Sequence, residues 1–120
     1  MREHAIYVGL PEEFSPPDRA AHRIAMLDTR EARQALFARM PEGAWQRWIA
    51  HEARIAIALR IVELPEIEGR RAALEQVPPE WLDMVGAYAK SFWKTRDIRA
   101  AWRRLREAKR AAEHEVHGHG

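Results

Sequence analysis

No cysteine and no asparagine occur among the 120 residues, and hydroxyl side chains are almost as scarce. Without cysteine, disulfides, thiolate metal sites and thiol nucleophiles are excluded. Beyond two tyrosines, the hydroxyls are Ser15, Thr29, Ser91 and Thr95, a poor inventory for nucleophilic catalysis. No run approaches the roughly 18 apolar residues that a membrane span needs. The N-terminal MREHAIYVGL lacks the apolar stretch of a signal peptide. The expected location is the cytoplasm of the host cell, and the expectation is a protein with no enzymatic activity and no cofactor.

What is present is helical pattern and uneven charge. Twenty Lys and Arg face eighteen Asp and Glu, and seventeen of the twenty are Arg. Residues 1–89 carry a net charge of −3, residues 90–112 carry +7, and the last eight carry −2. Such asymmetry bears on association rather than on fold.

The pattern predicts an all-α fold, an irregular bundle of five to six helices with a short extended N-terminal arm. The arm is assigned to 1–14, the helical domain to 15–112 and a flexible tail to 113–120. Ser15-Pro-Pro-Asp18 reads as a helix start with Ser15 as N-cap, followed by Ala20, Ile24 and Leu27 on one side. Asp28-Thr-Arg-Glu31 restarts the pattern, and Pro41 closes the second helix. A third helix, 44–63, carries Trp45, Trp48, Ile49, Ile55, Ala56, Leu59 and Val62 at helical spacing. Ile57 and Ile61 make its other side apolar as well, which marks it as the central helix. A fourth helix is expected over 66–76. A fifth follows the diproline at 78–79, with Trp81, Val85, Tyr88, Ala89 and Phe92 as its seam. The apolar phase then jumps at Thr95, which reads as a break or kink with Thr95 capping a sixth helix; one continuous helix is the alternative, since no Gly or Pro intervenes.

That sixth helix carries Arg96, Arg99, Arg103, Arg106 and Arg110 at steps of 3, 4, 3 and 4, all on one strip. Arg104 and Lys109 flank the strip, and Ile98, Ala101, Trp102 and Leu105 form a separate apolar one. Trp93, off the fifth helix's seam beside Lys94, is the candidate exposed aromatic anchor. The candidate interface is therefore Trp93, Lys94, Arg96, Arg99, Arg103, Arg104, Arg106 and Arg110. Arginine grips carboxylate and phosphate bidentately, and Arg and Trp lead the residues that anchor protein interfaces. The plainer alternative is that these arginines pair with the chain's own Glu63, Glu66, Glu68, Glu75 or Asp83.

Other constellations read as structural. His51-Glu52 opens like a zinc-protease helix but lacks the second histidine four residues on, so Glu52 is expected in a partly buried ion pair with arginine. His114, His117 and His119 lie in a glycine-containing tail whose irregular spacing argues against a metal site. No zinc-finger, RRM or KH signature is present, and the fifth helix opens too apolar to read bases. The stretch 5–10 could pair with its copy across a two-fold axis, giving a homodimer.

Residues 51–77 contain Glu52-Ala53-Arg54, Leu64-Pro65, Arg70-Arg71, Leu74 and Val77. In this respect the segment resembles small uncharacterised helical proteins of prophages and mobile elements. The resemblance implies an accessory protein that acts by binding, such as an inhibitor of a host complex, and implies no catalytic residue. The expected partner is an acidic surface of a host protein or nucleoprotein, whose nucleic-acid site the basic helix would mask. The alternative is direct, sequence-independent DNA or RNA binding.

Overall fold

In the computed structural model, the backbone is described for residues 8–118 and side chains for residues 8–114. Five α-helices follow one another: α1 (Pro17–Met26), α2 (Arg30–Ala38), α3 (Ala44–Glu63), α4 (Ile67–Glu75) and α5 (Leu82–Gly118), with 3₁₀ turns at Glu12–Phe14 and Pro79–Trp81. No strand occurs among the described residues. The fold is all-α, as the periodicity predicts. No helix in the described residues is long and apolar enough to cross a membrane.

Local chemistry sets the boundaries. Thr29 caps α2 by accepting from the amide of Ala32 at 3.1 Å, whereas the cap expected from Ser15 does not form. Pro16 occupies that position with no side-chain bond, and Pro17 opens the helix. Proline at N1 gives up nothing, because the first helical amides have no partner within the helix. Gly43 precedes α3 at φ +132°, a conformation that only glycine adopts without strain. The segment 5–10 falls partly outside the described residues. Within its described part Leu10 is buried, as is Phe14 beyond it, and Trp45 donates its indole N–H to the Val8 carbonyl at 2.9 Å.

α3 is the central helix, and α1 and α5 both pack on it more than on any other helix. Its buried residues are Ile49, Ala50, Ala53, Ile57, Ala58, Ile61 and Val62. This face is rotated from the expected stripe, and Trp48 and Leu59 remain about half exposed. Alanine decides the rotation. α1 offers Ala20, Ala21 and Ala25 beside Ile24, all buried, and small residues on both helices allow close packing of their axes. A tryptophan at the crossing would hold the helices apart.

Arg33 on α2 is the one buried charged residue among those described, at 5% exposure. Its guanidinium donates to the carbonyls of Ile24 (3.3 Å), Ala25 (2.8 Å) and Gln76 (2.6 Å). Arg60 donates to the same Ala25 carbonyl. Two cations thus meet the C-terminal carbonyls of α1, where the helix dipole favours positive charge. Burial, then the nearby Arg60, lowers the Arg33 pKa, while Asp28 opposes the shift.

The largest departure from expectation is α5. Thr95 does not cap a sixth helix; its Oγ1 donates back to the Ser91 carbonyl at 3.0 Å inside one continuous helix of 37 residues. The tail expected from residue 113 is helical up to Gly118. The radius of gyration, 19.8 Å, exceeds the roughly 14 Å of a compact chain this long. The second half of α5 leaves the body and accounts for that excess.

Candidate functional site

The continuity of α5 fixes where its arginines point. Trp81, Val85, Tyr88 and Phe92 face the core, with Trp81 and Val85 buried and Tyr88 and Phe92 packed on them. Arg99, Arg103, Arg106 and Arg110 each follow one of these by eighteen residues, and eighteen residues are five whole helical turns. The strip is therefore the core-facing side of α5 carried past the end of the body. The seam of Trp102 and Leu105, with Ile98 one turn before Trp102, lies on the face that Met84 and Ala87 occupy five turns earlier, both of them exposed. Ile98 is 57% exposed, and Trp102 and Leu105 are each 62% exposed. The apolar jump at Thr95 is thus a change of face within one helix.

The structure separates the eight candidate residues into three settings. Arg96 fastens the helix down: it donates to the Val62 carbonyl near the end of α3 at 2.6 Å, and its guanidinium lies 5.2 Å from the Trp93 ring centre. Trp93 is half-buried, not the exposed anchor expected, with Arg70 of α4 stacked 4.4 Å from the ring centre. Lys94 is exposed beside it. Arg99, Arg103, Arg104, Arg106 and Arg110 are exposed on the projecting segment.

None of these last five makes an ion pair among the described residues, where the pairs are Arg30–Glu31 and Arg39–Glu13. The internal pairing with Glu63, Glu66, Glu68, Glu75 or Asp83 therefore does not form there. Arg99 and Arg103 instead line a notch at the exit of α5 from the body, floored by Leu59, Val62 and Phe92 and bearing Glu63 as its acid. Farther along, Arg99, Trp102, Arg103 and Arg106 line a second open depression.

Glu52 is half-buried and lacks the expected ion pair; its neighbour His51 meets Tyr88 edge-on at 6.2 Å. No group of three metal-ligating residues occurs among the described residues, and the side chains of His117 and His119 lie outside them. Sequence reasoning missed Arg33 and Arg70, because a lone arginine on a short helix has no pattern to betray a carbonyl cluster or an indole beside it. Comparison with family models, with curated proteins and with solved structures gave no match to this chain.

Proposed function

We propose that this chain is a binding protein without catalytic activity that holds an acidic protein or nucleoprotein surface against the inner face of its projecting helix. The observation that carries this reading is the set of exposed arginines on α5 with no carboxylate partner among the described residues. Crowded like charges cost an isolated helix a few tenths of a kcal/mol per pair, and an external anion would turn that cost into attraction. The notch favours a protein over a bare phosphate backbone, since Leu59 and Phe92 beside Arg99 and Arg103 match an apolar side chain set among carboxylates. Such a partner suits an accessory protein of a mobile element that acts on a host complex by stoichiometric contact.

A second reading, direct binding to DNA or RNA, is favoured by the arginine strip running on to Arg110 beyond the notch. One experiment tests both. A tagged chain is used to capture partners from host lysate, beside the triple variant R99E/R103E/R106E, while fluorescence anisotropy follows labelled duplex DNA and single-stranded RNA across a salt series. A protein captured by the wild type and lost by the variant supports the first reading. Binding to nucleic acid that falls by roughly 0.9 log units per log of salt for each phosphate neutralised supports the second. Partners retained by the triple variant, with no nucleic-acid binding at low salt, would end both.

A further inference from the structure

A second surface lies between α4 and the first half of α5, with the end of α3 beneath it. Ile61, Val62, Leu74, Ala89 and Trp93 give it an apolar floor and wall, and its volume is about 520 Å³. Arg70, Arg71, Lys90 and Lys94 rim it, and no acidic residue lines it. A neighbouring depression of about 590 Å³ continues along the same two helices past Leu82, with Glu75 and Asp83 at that end. Leu74, Gly86 and Lys90 belong to both, so the two form one elongated groove. Between Leu82 and Lys94 it runs roughly 18 Å along α5, about three turns of a helix.

Gly86 lies where the two depressions meet. It sits inside α5, where glycine costs about 1 kcal/mol relative to alanine. A Cβ built there meets nothing within 4 Å, so no contact inside the chain requires the glycine. Its missing side chain keeps the groove open at the junction of the two depressions.

We infer that this groove docks an amphipathic helix of a partner protein, apolar on the buried face and acidic where it passes Arg71, Lys90 and Lys94. Docking of an amphipathic helix into an apolar groove between helices is a general mode of recognition. The length fits a helical segment, and the cationic rim selects its charge. A second copy of this chain fits poorly. Its free apolar seam, Ile98, Trp102 and Leu105, is accompanied by Arg104, Arg106 and Lys109, which would meet the rim with like charge. The inference does not rest on the arginine strip.

The test uses the full chain and two 14-residue amphipathic peptides with the same leucine and alanine face, one with glutamate and one with lysine on the polar face. Isothermal titration calorimetry should show the glutamate peptide binding at least about tenfold more tightly than its lysine twin, since like-charge juxtaposition is strongly disfavoured. Gly86→Leu should weaken that peptide at least about tenfold, as a filled pocket excludes its apolar anchors, while the variant melts no lower than wild type. K90E/K94E should abolish the preference for glutamate, and R99E/R103E/R106E should leave it intact. Equal affinity for the two peptides, no binding of either, or undiminished binding by the Gly86→Leu variant would overturn the proposal. So would loss of binding in the triple arginine variant, which would put the peptide on the strip. A dimer of the wild-type chain that Gly86→Leu dissociates would make a second copy the occupant and overturn it equally.

Discussion

At the scale of single residues, Arg33 ties three segments of the fold together. Its guanidinium serves carbonyls of residues 24, 25 and 76, so it joins the end of α1 to the turn after α4, through α2. Leucine at this position would keep much of the volume but leave those carbonyls short of donors in a buried place. A buried acceptor that loses its partner costs about 1–3 kcal/mol, and Arg60 can still serve only the Ala25 carbonyl. Arg33→Leu should therefore lower the unfolding free energy by about 2–4 kcal/mol, measured by urea denaturation. Arg33→Lys should recover only part of the loss, because an ammonium lacks the planar fork that reaches several carbonyls at once. A variant as stable as wild type would show the carbonyls to be satisfied by water. None of this was legible in the sequence: the periodicity of α2 marks Leu36 and Met40, and a carbonyl cluster formed by three segments leaves no trace in local pattern.

At the scale of elements, legibility followed period and punctuation. α3 was readable to its ends because Gly43 and Leu64-Pro65 bracket a long apolar repeat, and the observed helix spans Ala44–Glu63. Its buried face was less readable, since a helix apolar on several sides leaves the choice of face to its neighbours, here the alanines of α1. The arginine strip was legible as a strip, but its direction was not. Placing a cap at Thr95 cut α5 in two and hid the five-turn relation between Phe92 and Arg110. The continuous helix leads to a prediction. Ile98, Trp102 and Leu105 are each more than half exposed, so removing residues 98–120 should leave the body's cooperative unfolding nearly unchanged. Helical ellipticity should fall in proportion to the residues removed, while the urea midpoint moves little, because exposed positions usually contribute within about 0.5 kcal/mol. A collapse of the midpoint would mean that the second half of α5 folds back onto the body in solution.

At the scale of the whole molecule, charge and shape are divided along the same line. Residues 1–89 hold the net −3, residues 90–112 the net +7, and much of the positive segment stands clear of the body. A projecting cationic rod reaches an acidic partner before the negative body can repel it. At physiological salt the Debye length is about 8 Å, shorter than the roughly 20 Å of helix from Arg96 to Arg110. Charges near the tip of the rod are thus screened from those of the body, and under the proposed function the rod would meet its partner as a nearly independent cation. Its contribution should appear in the rate of encounter, since exposed complementary charge steers association while buried contacts govern dissociation. For a partner captured through the strip, raising the salt from about 50 to about 500 mM should slow association markedly and change dissociation little, as read by surface plasmon resonance. R104E/R110E, which leaves the notch intact, should flatten that dependence without lengthening or shortening the lifetime of the complex. Salt that instead speeds dissociation at an unchanged association rate would place these arginines in desolvated ion pairs at the centre of the interface, with the notch at its rim.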